Sequence, residues 1–361
     1  MRYHLMNKDT LVLEFDFYLD EFEEYQAQEI KWHSDIRPFG YLDLTSFLER
    51  RKAPKHRKHI EELLLQYGCD DLKGFLDVTY ALSLNDTFWV KKAGSPLRWK
   101  QVSLYDNEFN EIVAKAAFDG SVSSPSVSST SPEFGTDGYY AKCWVKKDSG
   151  IYLYKTGSAT FELEPFSEFF AAQLSEKICN KPLHYDLDIH HDKLVSTCKL
   201  FTSEKLGLAK ISDVVSRDSR TISSFLKYYD SIGCGDDFRR MCVLDAIILN
   251  TDRHLGNFGV LFDTDTMDVV DSAPVFDNNR SLLFDLDNDQ LKNPEWYINK
   301  CTPRIGTDFI VTAKALMTDE IRKDLLALKD FEFRQHEEIK ISEERLELLN
   351  KIVQDRIKLL I

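Results

Sequence analysis

Thirteen residues from Gly120 to Pro132 read GSVSSPSVSSTSP, seven of them serine and almost none hydrophobic. A stretch of this kind cannot bury enough apolar surface to offset the entropy of ordering it. It reads as a mobile loop or linker, so any core must be built from the segments on either side. Material for a core is ample: 43% of the 361 residues are hydrophobic, with 24 Phe, 15 Tyr and 5 Trp. Wholesale disorder and collagen-like or coiled-coil architectures are thereby excluded. The longest uninterrupted apolar runs, such as Ala246 to Leu249, fall far short of the roughly 18 to 20 residues that span a bilayer, and no transmembrane helix or membrane partner is expected. MRYHLMNKDTLVLEF at the start alternates polar and apolar residues and lacks the continuous apolar region of a secretory signal. The seven cysteines are scattered and never in a C-x-x-C pair, which predicts free thiols and a reducing cytoplasm. Sixty acidic against 46 basic side chains give a net charge of −14, which argues against direct nucleic-acid binding as the main activity.

The periodicities predict an α+β chain. Residues 10 to 18 have the alternation of a strand, and His56 to Tyr67 has helical spacing. Leu84 to Lys92 reads as a turn entering a strand, and Glu108 to Phe118 as an amphipathic helix. Beyond the serine-rich break come three strand-like pieces, Gly138 to Trp144, Ile151 to Lys155 and Thr160 to Leu163, then a helix from about Ser167 to Ile178. From Thr221 onward helices prevail: Thr221 to Tyr229, Asp236 to Leu249, Thr318 to Leu328 and Ser342 to Leu360. One strong strand pair, Phe258 to Phe262 with Val269 to Phe276, interrupts them.

Chemistry concentrates where the helix ending at Leu249 meets that hairpin. The intervening LNTDRHLGN places Asp252 and Asn257 five apart on a loop, the D-x-x-x-x-N spacing of a phosphoryl-transfer loop. Such transfer needs a carboxylate at the attacking hydroxyl and hard oxygen ligands for Mg²⁺ close by, and a loop of four intervening residues supplies both. The hairpin returns the chain to Asp277 in APVFD, which can share the metal with Asn257. His254 reads as a phosphate contact or a brace of the loop. Phe134-Gly135-Thr136-Asp137-Gly138 precedes a strand; Gly135, Thr136, Asp137 and Gly138 are candidates for a phosphate-binding turn, or form a simple turn. Lys155 ends a strand ahead of the helix bearing Glu168, the arrangement in which a helix carboxylate fixes a phosphate-binding amine. Cys198 to Thr202, with Leu200 and Phe201, could offer backbone hydrogen bonds to adenine or form a strand between lobes.

In NTDRHLGN (250 to 257), APVFDNNRSL (273 to 282), Lys155 of YLYK and the Ser-Glu-Phe helix at 167 to 169, the chain resembles the HipA-like serine/threonine kinases, over roughly residues 130 to 340. Its N-terminal 100 residues look more like those of CtkA-like single-protein members than those of the best-known HipA toxins. The resemblance implies a bilobal protein-kinase-like fold, with an N-terminal α+β region over 1–119, a mixed α/β nucleotide-binding lobe over 120–200 and a mainly helical catalytic lobe over 201–361. It implies ATP with Mg²⁺ and a protein substrate phosphorylated on Ser or Thr. Asp252 would be the catalytic aspartate, Asn257 and Asp277 the metal ligands, and Lys155 the lysine at the phosphates. An antitoxin-like or regulatory protein is an expected class of partner. Autophosphorylation of the serine-rich segment is expected at Ser128, Ser129 or Ser131. Two other readings compete: a phosphoinositide-type or small-molecule kinase, since D-R-H-x-x-N also serves those enzymes, and a kinase-like binding module within a toxin-antitoxin or DNA-bound complex. The basic run Arg50 to His59 reads as a solvated face or a docking patch, and His190-His191 as a strand edge.

Overall fold

The computed structural model describes residues 1–52, 71–119, 131–136, 140–158 and 160–361. The helix expected over 56–67, residues 53–59 of the basic run, residues 120–130 with Ser128 and Ser129, and Asp137 and Gly138 lie outside the described residues. The expected mixture of helices and sheets is found, in two compact units. One comprises Met1–Leu153, Leu200–Ala209 and Leu261–Val270; the other comprises Tyr154–Lys199, Lys210–Val260 and Asp271–Ile361.

The first unit is organised by four strands, β1 (Arg2–Asn7), β2 (Thr10–Leu19), β3 (Tyr25–Trp32) and β4 (Phe88–Lys92), in the order β3-β2-β1-β4. In these strands successive side chains point to opposite faces. Tyr3, Leu5, Phe88 and Val90 therefore join one core with Leu13 and Phe15, while Met6 and Trp89 join another with Trp99 and Leu104. The first core is roofed by α1 (Leu44–Glu49), α2 (Leu72–Thr79) and Val113, Ala116 and Ala117 of α3 (Glu111–Asp119). Asp43 and Asp71 cap α1 and α2 by accepting from the amides of Ser46 and Gly74. The basic run does not read as a solvated face at Arg51. That side chain is buried, paired with Asp86 at 2.8 Å and donating to the carbonyl of Phe88 at 2.8 Å.

Strands β5 (Lys142–Lys147), β6 (Gly150–Thr156), β7 (Tyr185–His190) and β8 (Lys193–Lys199) form a second sheet in the order β5-β6-β8-β7. The strand expected over Thr160 to Leu163 is absent. Ser158 turns the chain there, its hydroxyl accepting from the amide of Phe161 and its carbonyl from that of Glu162, whose φ of 56° is left-handed. This turn leads straight into α4 (Glu164–Ile178), which starts earlier than the periodicity suggested. The expected hairpin is present as β10 (Gly259–Asp263) and β11 (Val269–Ser272), and β9 (Leu206–Lys210) adds a third strand that the sequence reading left out. Pro274 lacks the amide proton a longer β11 would need.

The second unit is built around α6 (Gly235–Ile248), against which α4, α5 (Ile222–Ser231), α7 (Phe309–Leu316) and α9 (Glu343–Leu360) pack. Val243, Leu244, Ala246, Ile247 and Ile248 are wholly buried. Arg356 of α9 donates twice to the carbonyl of Ala246, satisfying an orphan acceptor of the last turn of α6. α8 (Asp319–Ala327) lies against α4. Among the described residues no helix is long and apolar enough to cross a membrane, and the six cysteines are free.

Candidate active site

The helix α6 ends at Leu249, a non-glycine residue held at φ 55°. A left-handed leucine costs about 1–2 kcal/mol, so its surroundings must over-determine it. They do so through a polar network that starts on the helix itself. Asp245 interrupts the apolar run MCVLDAIIL and is buried. The amides of Leu249 and Asn250 both donate to its carbonyl. Its carboxylate takes Arg253 in a forked pair, Nη2 to Oδ1 at 2.9 Å and Nε to Oδ2 at 3.0 Å. Asn250 donates to the same carboxylate at 3.2 Å and accepts from the amide of Asp252 at 3.0 Å.

Arg253 is 1% exposed and reaches three segments at once. Besides Asp245, it donates to the carbonyl of Asn257 at 2.9 Å, the carbonyl of Phe276 at 2.5 Å and Oδ1 of Asn278 at 2.5 Å. The loop bearing Asp252 and Asn257 is thereby fixed to the residues on both sides of Asp277. Burial disfavours the Arg253 cation, but the carboxylate of Asp245 more than offsets this and holds it charged. Asn257 spends its side-chain N–H on the carbonyl of Asp252 at 3.1 Å, which leaves its amide oxygen as the atom to meet a cation. His254 is exposed, and its Nδ1 accepts from the amide of Gly256 at 3.0 Å.

Asp277 has a φ of 59° and its amide donates to the hydroxyl of Tyr185 at 3.2 Å. Its carboxylate pairs with Lys155 at the end of β6. On its other side, Lys155 meets Oε1 of Glu168 on α4 at 3.4 Å, and Oε2 of Glu168 accepts from Ser196 of β8 at 2.6 Å. Burial opposes the Lys155 ammonium, yet Asp277 and Glu168 raise its pKa above the ordinary lysine value. Glu168 is fully buried, and burial raises its pKa with Asp277 adding to the effect, against the pull of Lys155 and Ser196. One ammonium thus stands between two carboxylates, one deeply buried and one 31% exposed on its side chain.

Lys155, Asp252, His254, Asn257 and Asp277 all belong to the second unit. Gly135, Thr136, Leu200 and Phe201 belong to the first. Gly135 closes a short helical turn, Pro132–Gly135, where an added Cβ would lie 3.0 Å from the carbonyl of Leu82. The Thr136 hydroxyl donates to the carbonyl of Pro132 at 2.7 Å and accepts from Trp144 at 3.0 Å. These are packing roles inside that unit. The amide of Leu200 donates to the carbonyl of Ile151 at 2.8 Å. Ser131 is buried at 3% exposure, whereas a phosphate acceptor must reach solvent. Sequence reasoning missed Asp245, Ser196, Tyr185 and the full reach of Arg253. A lone aspartate in the apolar run of α6 was the available signal, since a buried carboxylate demands a partner.

No family model matches the chain, and no curated protein matches it. Among solved structures it is similar to the Helicobacter pylori proinflammatory kinase CtkA, with a TM-score of 0.46 and 17% identity over 61% of this chain and 90% of that one. It is also similar to Shewanella oneidensis HipA of the toxin-antitoxin complex with HipB and operator DNA, with a TM-score of 0.48 and 8% identity over 99% of this chain and 96% of that one.

Proposed function

We propose that the chain is an ATP- and Mg²⁺-dependent serine/threonine protein kinase of the HipA-like class, with its catalytic groups in the second unit. The observation that carries this reading is the buried Lys155 held between Glu168 and Asp277, tied by Arg253 to the loop of Asp252 and Asn257. A structural charge cluster needs neither this depth of burial nor the connected loop. The donor set fits the expected groups: Asp277 and the Asn257 amide oxygen are hard ligands suited to Mg²⁺, and Lys155 is a cation suited to phosphate oxygens. When bound, Mg·ATP supplies the phosphoryl group and neutralises its charge.

The chain's own residues do the positioning. Asp252 accepts the hydrogen bond of the acceptor hydroxyl and orients it, and its backbone is fixed by Asn250. Arg253 keeps Asp252, Asn257 and Asp277 in register, so that metal ligands and hydroxyl acceptor move as one body. Glu168 and Ser196 anchor the amine of Lys155, which spares it the entropy of finding its position.

The test is incubation with labelled ATP and Mg²⁺, alone and with a mixture of protein acceptors, followed by location of label by mass spectrometry. Phosphoserine or phosphothreonine is expected, and label confined to lipid or small-molecule acceptors would overturn the protein-kinase reading. Asp277→Ala is expected to make nucleotide binding insensitive to Mg²⁺ in calorimetric titration; an unchanged Mg²⁺ dependence would remove Asp277 from the site. Peptide mapping of the same sample checks residues 121–136 for autophosphorylation.

A further inference from the structure

We propose that Arg304 is a specificity-determining residue: it gates the carboxylate of Asp252 and favours acceptor segments carrying Asp or Glu within one or two residues of the hydroxyl. The proposal rests on the kinase reading of Asp252. Nη2 of Arg304 lies 3.3 Å from Oδ1 of Asp252, and the two side chains are 59% and 20% exposed. The carboxylate that would receive a hydroxyl is therefore already partnered, on its more hidden side of the pair, by a cation that is mostly in solvent.

The loop holding Arg304 is a built one. Ile305 is buried, and Gly306 takes a φ of 85°, where an added Cβ would meet the Thr312 hydroxyl at 2.4 Å. Asp308 then caps α7 by accepting from the amide of Val311 at 2.9 Å. The backbone on the C-terminal side of Arg304 is thus anchored, while its side chain stays exposed. The backbone just before Asp252 is held as well. The carbonyl of Arg280 accepts from the amide and hydroxyl of Thr251, the residue before Asp252, at 3.2 and 3.3 Å. The Arg280 side chain is exposed, its guanidinium 5.8 Å from the ring of Phe284.

The chemistry follows from exchange. An ion pair with its cation mostly in solvent is weak, so Arg304 can leave Asp252 at little cost. A hydroxyl that binds Oδ1 must displace it. A carboxylate on the incoming segment offers the guanidinium a replacement partner, so the ion pair is traded and not lost. A neutral segment leaves Arg304 competing for Asp252, and a basic one is repelled by it. Like charges across a contact serve mainly to reject wrong partners.

The test measures binding to the full chain without nucleotide, by fluorescence anisotropy. The probes are a labelled peptide with a single serine flanked by Asp and Glu, and its isosteric Asn/Gln counterpart. The expected result is at least tenfold tighter binding of the acidic peptide, loss of that ratio in Arg304→Glu, and its retention in Arg304→Lys. Lys329→Glu, at an exposed lysine elsewhere in the unit, reports general electrostatics. Equal binding of the two peptides by the parent, a ratio that survives Arg304→Glu, or an equal loss in Lys329→Glu would each overturn the proposal. The kinase reading fails separately: a parent that prefers the acidic peptide through Arg304 yet transfers no phosphate to any acceptor refutes the transferase and leaves the recognition standing.

Discussion

Lys155 and Lys181 of the second unit each face two carboxylates, and only the first belongs to the proposed site. Lys155 stands between Glu168 and Asp277; Lys181 stands between Asp237, at 2.8 Å, and Asp271. The charges are the same. Lys155 and Glu168 are 7% and 1% exposed on their side chains, against 29%, 15% and 44% for Lys181, Asp237 and Asp271. Lys181 also has Ser272 at 2.9 Å, and Ser272 in turn donates to Asp237 at 2.6 Å, so that polar groups close the cluster on itself. The Lys155 cluster opens instead onto Asp277, whose neighbours Phe276 and Asn278 are bound by Arg253 to the loop of Asp252. A triad of charges carries no function by itself. Burial gives the Lys155 triad its stake, and the connection to a second loop gives it something to act on.

The largest expected difference between the two clusters is catalytic. Asp252→Asn should lower phosphoryl transfer by more than about a hundredfold with the fold intact, because a misdirected hydroxyl acts on the transition state alone. Asp237→Asn should leave transfer within about twofold. Steady-state rates on one acceptor decide it: Asp252→Asn within about tenfold of the parent, a difference of only ~1.4 kcal/mol, would make the catalytic assignment wrong.

A smaller difference lies in stability. Lys155→Met leaves the buried Glu168 without its cation, and breaking a buried pair costs about 3–5 kcal/mol. Lys181→Met acts at a half-exposed pair, worth about 0–1 kcal/mol. Urea unfolding of both variants measures the gap, and equal losses would show that the two clusters are energetically alike.

The smallest effect is a contrast of sign with pH. Burial opposes the Asp237 anion, but Lys181 and Ser272 overcome it and hold its pKa below the ordinary value of 3.8. Its stabilising contribution is therefore present above that value and is lost as pH falls through the lowered one. Glu168 is raised above its ordinary 4.5, so its contribution is present below that value and fades as pH climbs through the raised one. Relative to Asp237→Asn, the parent should gain stability as pH rises from 3 to 5; relative to Glu168→Gln, it should lose stability as pH rises above 4.5. Denaturation series at several pH values test this, and slopes of one sign for both would remove the distinction.

Local pattern was enough to foresee several parts of this molecule. The strand of residues 10 to 18, the helices ending near Leu249 and Leu360, the hairpin after Asn257 and the five-residue spacing of Asp252 and Asn257 all depend on contacts a few residues apart, where alternation or helical spacing is the governing term. The failures were of another kind. Thr160 to Leu163 looked like a strand, but Ser158 and the start of α4 claim its backbone. Arg51 looked solvated within a basic run, but Asp86, 35 residues on, draws it into the interior.

By itself the sequence determined which residues could do chemistry and on which loops they would stand, because a D-x-x-x-x-N turn between a helix and a hairpin is a local object. Only the tertiary structure decided which of them meet. Lys155 reaches Asp277 across 122 positions, and Arg253 joins Asp245, Phe276 and Asn278. Arg304 meets Asp252 across 52. Such pairs carry no periodicity, and for the buried ones the energy that selects them is the cost of leaving a buried charge unpartnered, a cost that exists only once the chain has closed around it.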